Sequence, residues 1–231
     1  MYSRSGGAVA SRPEQIMTNV EELMQSTDLA GMRDELAALL QERCFSYGDF
    51  VLASGMRSTY YYDGRLVTLS PRGAYLTGRL VFEAIRGSGI EAIGGKTLGA
   101  DPIVVATAVV SSLEGEPIPA FIVRATPKDH GMTGLIAEAF ASDGRPLVSP
   151  GRRVAIVDDT ATTGGSLFDA VRAAEGQGAV VALVVAMVDR LQGAAENFRS
   201  KGYQYQALYQ ADSSGKLQAA SGIAGAAGRI D

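Results

Sequence analysis

The sequence predicts an α/β fold with a central parallel sheet that is covered by helices on both faces. Two continuous apolar stretches, RVAIVDD (153–159) and AVVALVVAMVD (179–189), have the composition of strands that are buried on both sides. Segments with apolar residues three and four positions apart follow them, and this spacing is the helical period. Such an alternation of strand and helix is typical of a parallel sheet.

The first part of the chain predicts a small hood over this sheet. Helical patterns occur at 14–26 and 29–44, and a stretch rich in aromatic and β-branched residues over 49–70 is strand-like. Beyond it, we expect helices at 72–89, 101–115, 166–178 and 194–202, and strands at 90–95, 118–124, 153–159, 179–189 and 203–210. The polar stretch over 125–134 predicts a loop.

Length and composition favour one domain with loose ends. Hydrophobic residues make up 46% of the 231 residues, which is enough for a sizeable core. The small and polar residues near both ends predict a flexible N-terminal segment over 1–13 and a loose C-terminal segment over 212–231. The folded domain is therefore expected over 14–211.

Charge and cysteine content exclude several classes of protein. A net charge of −4 gives no general attraction to nucleic acid or to an anionic membrane. The only cysteine, Cys44, excludes an intrachain disulfide and a multi-cysteine metal site. The N-terminus has no signal-peptide apolar core, and the apolar run over 179–188 is shorter than the roughly 20 residues of a membrane helix. We expect a cytoplasmic protein without nucleic-acid or membrane partners.

The stretch VDDTATTGGS (157–166) carries the strongest chemical signal. Asp158 and Asp159 end a predicted strand, and ligands of parallel sheets bind at the carboxyl ends of strands. The following TATTGGS turn can direct backbone N–H groups and a helix N-terminus at a phosphate. The carboxylates would repel that phosphate unless they bind another part of the same molecule. A ribose 5-phosphate meets both demands, because its hydroxyls can donate to the carboxylates.

Other interpretations of this stretch are open at this point. It is also compatible with a capped turn whose acids face water, or with an acidic pair that holds a metal. A Walker loop is excluded because no lysine precedes Ser166. Ser166 and Asp169 have the spacing of a capping box.

Four segments together resemble the orotate phosphoribosyltransferases, a family with the type I phosphoribosyltransferase fold. VDDTATTGGS is similar to the motif of that fold for phosphoribosyl pyrophosphate (PRPP). The segments FSYGDFVLASGMRSTYYYD (45–63), RATPKDHGMTG (124–134) and VDRLQGAAENF (188–198) resemble three further family segments in the same order. The likeness covers roughly residues 30–210.

The resemblance implies a reaction and a set of site residues. PRPP and orotate would give orotidine 5′-monophosphate and pyrophosphate with Mg²⁺, in de novo synthesis of UMP. The catalytic residues would be Lys128, Asp158 and Asp159. The metal would have no protein ligands, because PRPP would bring it. PRPP would contact Arg124, Lys128, His130, Asp158, Asp159, Thr160, Ala161, Thr162, Thr163, Gly164, Gly165 and Ser166. Orotate would contact Tyr61, Tyr62, Thr162 and Arg190.

The resemblance also implies a homodimer, since the family's catalytic loop reaches into the site of the neighbouring subunit. Two departures from the family pattern stand out: Ala125 replaces a common second basic residue, and Lys96 is offset from a lysine that some members carry. We therefore assign Lys96 no role from the sequence.

Several alternatives remain for individual residues and for the activity. Arg190 could form a surface ion pair with Asp189, and both tyrosines could simply pack in a strand. The turn over 94–102 could bind pyrophosphate through its backbone, or could be a glycine turn followed by an N-cap at Asp101. The protein could transfer to another base, or could sense PRPP without catalysis.

Overall fold

The computed structural model describes residues 28–51, 57–128, 134–138, 141 and 143–220, with the backbone alone at Val51 and Lys128. The predicted segment over 1–13 and the predicted helix over 14–26 lie outside these residues. Within the described part of the chain, no helix is both long and apolar enough to cross a membrane.

The described residues form helices and strands in an order close to the predicted one. The helices are α1 (Leu29–Arg43), α2 (Arg65–Thr68), α3 (Pro71–Ile85), α4 (Asp101–Leu113), α5 (Gly165–Glu175) and α6 (Ala194–Ser200). The strands are β1 (Phe45–Val51), β2 (Arg57–Tyr62), β3 (Ala92–Lys96), β4 (Ala120–Lys128), β5 (Gly134–Glu138), β6 (Arg153–Ala161), β7 (Val180–Asp189), β8 (Tyr205–Ala211) and β9 (Leu217–Ala219).

The central sheet has seven strands in the order β5-β4-β3-β6-β7-β8-β9. The five inner strands are parallel, as predicted, and β5 and β9 pair antiparallel at the two edges. The sheet is therefore mixed rather than wholly parallel. Short antiparallel strands at the edges shield the backbone groups of β4 and β8, which would otherwise be unpaired.

The apolar strands are continuous because both faces of the sheet are covered. Along β6, Val157 packs into the cluster on the side of α1, α3 and α4, whereas Ile156 packs against α5 and α6. Along β7, Val185 belongs to the first of these clusters and Val184 to the second. Successive side chains of a strand point to opposite faces, so each face receives its own set of apolar residues.

The hood consists of α1, the antiparallel hairpin β1–β2 and the short helix α2. The strand-like stretch predicted over 49–70 is thus only partly strand, because the chain turns into α2 at Arg65. Asp63 stabilises this turn, since its carboxylate accepts the backbone N–H of Arg65 at 3.1 Å. The hood is tied to the sheet where Tyr209 donates to the backbone oxygen of Arg33 at 2.7 Å.

The chain stays structured beyond Ala211, where the sequence predicted a loose segment. The carboxylate of Asp212 accepts the backbone N–H groups of Ser214 and Lys216, at 2.8 and 3.0 Å, and this closes a turn. Strand β9 then pairs with β8. The domain boundary expected at 211 is therefore too early, while residues 221–231 lie outside the described part.

Candidate active site

A cavity of about 280 Å³ opens at the carboxyl ends of β3 and β6. It lies where the fold class places ligands, and it combines carboxylates, hydroxyls and backbone of the turn after β6. Its walls are formed by Lys96, Thr97, Gly99, Asp158, Asp159, Thr160, Ala161, Thr162, Gly164, Gly165, Ser166 and Leu167.

The two carboxylates are held close together in a poorly hydrated place. Asp158 is only 5% exposed, and burial raises its pKa to about 7, with a further contribution from the neighbouring charge of Asp159. Burial also raises the pKa of Asp159, the nearby carboxylate of Asp63 raises it further, and Arg65 opposes the shift. Such a pair gains strongly from a ligand that brings hydroxyl donors or positive charge.

The turn after β6 presents free donors to the cavity. Gly164, the N-cap residue of α5, has a left-handed φ of 88°, and no side chain caps this helix. The first N–H groups of a helix have no partner inside it, so those at Gly165, Ser166 and Leu167 can bind an anion. The Thr160 hydroxyl is buried and has no hydrogen-bond partner among the described residues. Together these groups are a set of unpaired donors at one end of the cavity.

The predicted capping box at this helix is wrong. Asp169 does not reach back to the start of α5; its carboxylate binds Lys96 Nζ at 2.5 Å and also pairs with Arg172. Without a capping side chain, the N-terminus of α5 remains open to a ligand.

The second wall of the cavity is the turn between β3 and α4. Gly99 lies so close to the carboxylates that a Cβ there would come within 2.6 Å of Asp159 Oδ1 and 2.8 Å of Asp158 Oδ1. Ala100, not Asp101, is the N-cap residue of α4, and the Thr97 hydroxyl donates to the Asp101 carboxylate at 2.7 Å. The predicted N-cap role of Asp101 is therefore wrong, and the turn brings its backbone against the acidic pair.

Arg190 is a buried cation at the end of β7, with 7% of its surface exposed. It reaches across to the hood: Nε donates to the Tyr60 hydroxyl at 3.1 Å, and Nη2 donates to Ser58 Oγ at 3.0 Å. Its guanidinium also lies 4.3 Å from the centre of the Tyr60 ring. The alternative of a surface ion pair is excluded, because buried Asp189 instead accepts from the Tyr205 hydroxyl and from Leu191 N.

Comparison with known proteins identifies the family. No protein-family model matches the chain. An orotate phosphoribosyltransferase from Nostoc sp. is 40% identical over 197 residues, which span 83% of this chain and 92% of that relative. The enzyme of the same name from Thermosynechococcus vestitus is 43% identical over 182 residues, or 79% of this chain and 92% of its own. The chain belongs to the orotate phosphoribosyltransferase family.

The fold leads to the same family. A crystal structure of the Mycobacterium tuberculosis H37Rv orotate phosphoribosyltransferase in complex with PRPP matches with a TM-score of 0.61 and 36% sequence identity. The match covers 76% of this chain and 94% of that one. The predicted type I phosphoribosyltransferase fold is confirmed.

The structure brings most of the predicted PRPP-binding residues of this family member together. Eight of them line the cavity: Asp158, Asp159, Thr160, Ala161, Thr162, Gly164, Gly165 and Ser166. Thr163 is exposed beside them, and its backbone oxygen accepts from Asn197 Nδ2 at 2.9 Å.

The segment predicted as a catalytic loop is partly strand. β4 continues to Lys128, whose backbone pairs with Gly134 at the start of β5. Arg124 donates to the backbone oxygens of Gly134 and Ile136 at 3.0 and 3.1 Å, so here its side chain binds the hairpin. The antiparallel pairing satisfies backbone groups that a free loop would leave to water. His130 lies outside the described residues.

The two tyrosines predicted for the base do not share a surface. Tyr61 is 45% exposed, whereas Tyr62 is buried on the other face of β2, with its ring centre 5.0 Å from that of Phe45. Tyr62 is therefore a core residue. The sequence analysis missed Tyr60 and Ser58, which contact Arg190, because only the folded hood brings β2 to the end of β7.

Lys96 and Arg65 are the other residues that the sequence analysis missed. Lys96 ends β3, beside the acidic pair, because β3 and β6 are neighbours in the sheet. Arg65 acts on the pKa of Asp159 from the hood. The parallel pairing of β3 with β6 could have indicated that Lys96 lies beside the acidic pair. Nothing in the sequence indicates the position of Arg65.

Proposed function

We propose that this protein transfers the 5-phosphoribosyl group of PRPP to orotate, giving orotidine 5′-monophosphate and pyrophosphate in the synthesis of UMP. The observation that carries the proposal is the buried pair Asp158–Asp159 beside an uncapped helix N-terminus in one cavity. Few ligands offer both hydroxyl donors for the carboxylates and a phosphate for the helix N-terminus, and a ribose 5-phosphate does. Membership in the family supports the same activity.

The acidic pair would grip the ribose. In their ionised form, Asp158 and Asp159 accept hydrogen bonds from the 2′- and 3′-hydroxyls, while the turn over 160–166 binds the 5′-phosphate. The bond from C1′ to the pyrophosphate oxygen breaks as the orotate nitrogen N1 bonds to C1′, and the N1 proton passes to the departing pyrophosphate. Positive charge develops on the ribose during this exchange, and the two carboxylates stabilise it.

The leaving pyrophosphate requires cations. We assign this role to Lys128, with Arg124 and His130 as further contacts, because the three lie on the β4–β5 hairpin and its connection. Arg124 would have to exchange its two backbone partners for the pyrophosphate. Closure of this hairpin over the substrate would also exclude water.

Mg²⁺ fits this site as an ion that PRPP brings. Among the described residues, no three His, Cys, Asp or Glu side chains come together as a metal site. Mg²⁺ commonly takes one or two carboxylates and completes its shell with phosphate oxygens and water. PRPP would supply most of these oxygen ligands, and the ion would neutralise charge on the leaving pyrophosphate.

Arg190 is the group that would select orotate. Its planar guanidinium suits the carboxylate or a carbonyl of the base, and the hood residues hold it in one orientation. We include Thr162, which lines the cavity, and the exposed Tyr61 in the base site. Tyr62 is left out because its ring packs in the core.

We further propose a homodimer with shared active sites. The outer face of α4 carries an apolar stripe of Val105, Val109 and Leu113, each more than half exposed. Leu98, 64% exposed, extends this stripe to the turn that contacts the acidic pair. Apolar residues at this spacing are suited to packing against a second copy. The reaction and the single cysteine fit a cytoplasmic location.

The test follows orotate absorbance after adding the purified protein, PRPP and Mg²⁺, with Lys128→Ala as the loss variant. The remote variant Lys216→Ala controls for a lost positive charge. We expect turnover that requires PRPP, falls by about two orders of magnitude or more in Lys128→Ala, and persists in Lys216→Ala. PRPP binding without turnover of orotate would refute the proposal.

A further inference from the structure

The cavity holds one cation that the proposed reaction has not used. Among the residues that line it, Lys96 alone is positively charged, and the same cavity contains the two carboxylates of Asp158 and Asp159. A phosphate that enters beside two carboxylates is repelled unless a cation lies close to it. The uncapped helix N-terminus contributes only about half an elementary charge.

The position of Lys96 is set by the first turns of α5. Its Nζ lies 2.5 Å from Asp169 Oδ2, and Asp169 is the fifth residue of that helix. Its charge also lowers the pKa of Asp158. The ammonium group is therefore held at the start of α5, in the cavity that also contains the acidic pair and the phosphate turn, with a quarter of the side chain exposed.

We propose that Lys96 is a specificity-determining ligand of the phosphate of ribose 5-phosphate, on the 5′ side of PRPP. The inference rests on the proposed function and adds a residue to its substrate site. When the phosphate binds, Lys96 exchanges the carboxylate of Asp169 for a phosphate oxygen. Asp169 keeps its ion pair with Arg172, so the exchange leaves no unpaired carboxylate behind.

Two features make this exchange favourable. The ion pair with Asp169 holds the long lysine side chain against the wall of the cavity, which reduces the entropy lost when a ligand binds. A phosphate dianion also offers more charge and more acceptors than one carboxylate. Lys96 thus offsets the repulsion between the phosphate and the acidic pair.

Calorimetry with ribose 5-phosphate and, separately, with pyrophosphate tests the inference on the full chain. Lys96→Met is expected to raise the Kd for ribose 5-phosphate by about tenfold or more, because a charge-assisted hydrogen bond is lost. The Kd for pyrophosphate should stay within about twofold. The remote variant Lys216→Met, with the same change of charge, should bind both probes as the unchanged protein does.

Asp169→Asn separates a ligand from a structural residue. If Lys96 binds phosphate, this variant keeps or tightens the binding of ribose 5-phosphate, because it removes the competing carboxylate. Thermal unfolding of each variant checks that it is folded. Equal losses in Lys96→Met and Asp169→Asn, or unchanged binding in Lys96→Met, would overturn the inference.

Activity measured on the same samples keeps the inference distinct from the proposed function. Binding of ribose 5-phosphate that depends on Lys96, without any turnover of orotate, would uphold the inference and refute the function. Turnover of orotate that is unchanged in Lys96→Met would uphold the proposed function and overturn the inference.

Discussion

At the scale of single residues, the chemistry of the site depends on two buried charged side chains and their partners. Asp158 is buried beside a second carboxylate, and burial together with the charge of Asp159 raises its pKa to about 7. Arg190 is also buried, but two hood hydroxyls accept from its guanidinium. Asp158 therefore gains hydrogen-bond donors when a ligand binds, whereas Arg190 is already oriented to bind one.

The raised pKa of Asp158 predicts how activity depends on pH. Below about pH 7 the carboxyl group is protonated and accepts ribose hydroxyls poorly, and above it the carboxylate is ionised. The kcat/KM for PRPP should therefore rise as the pH increases through about 7. Steady-state rates across this range measure the profile.

Asp158→Asn provides the comparison for that profile. Its kcat/KM should be about 10- to 100-fold lower at high pH, and the rise should be absent. A profile of the same shape in both proteins would assign the titration to PRPP or to another group.

Tyr60→Phe tests whether the hood orients Arg190. The variant keeps the ring against the guanidinium but removes the hydroxyl that accepts from Nε. We expect KM for orotate to rise about threefold to tenfold, with little change in KM for PRPP. Steady-state kinetics with each substrate varied in turn measure both constants.

Tyr203→Phe is the matched control, since it removes a tyrosine hydroxyl that binds Glu175 far from Arg190. An increase in both Michaelis constants in Tyr60→Phe, or an equal effect in the control, would argue against orientation of Arg190.

At the scale of elements, the sequence predicted the strand–turn–helix unit of β6 and α5 closely. Its apolar run, its two acids and its glycine turn are contiguous, so the chemistry can be read from one segment. The edge strands β5 and β9 were not predicted, because short strands are stabilised by their neighbours rather than by their own composition. The partners of Lys96 and Arg190 also lie on other elements of the fold, so the sequence does not indicate them.

Helix α6 is the element that holds the phosphate turn from behind. Asn197 Nδ2 donates to the backbone oxygen of Thr163 at 2.9 Å. Asn197→Ala should loosen the turn and raise KM for PRPP about threefold to tenfold, because one hydrogen bond is lost. The exposed neighbour Glu196, substituted by Ala, should leave KM unchanged. Steady-state kinetics measure KM for PRPP in both variants. Equal values would show that α6 does not hold the phosphate turn.

At the scale of the whole molecule, the fold class and the place of the site followed from the sequence, whereas the extent of the domain did not. The polar composition around Asp212 predicts a loose end, but these residues form a turn that returns the chain to the sheet as β9. Side chains that cap a turn and residues that merely face water have the same composition.

Shared sites in a homodimer predict complementation between inactive variants. A mixture of Lys128→Ala and Asp158→Asn forms heterodimers in which one of the two sites has both native residues. With random exchange of subunits, activity should recover to about a quarter of that of the unchanged protein. Absence of recovery, with heterodimers verified by native mass spectrometry, would show that each subunit uses its own lysine.

A competition experiment between bases tests whether orotate is the acceptor of the phosphoribosyl group. The protein receives limiting PRPP with Mg²⁺ and equal amounts of orotate, uracil, adenine and hypoxanthine, and chromatography quantifies every nucleotide and the pyrophosphate released. We expect orotidine 5′-monophosphate as the dominant nucleotide, in equal amount to pyrophosphate. A different nucleotide as the main product, or no nucleotide at all, would contradict it.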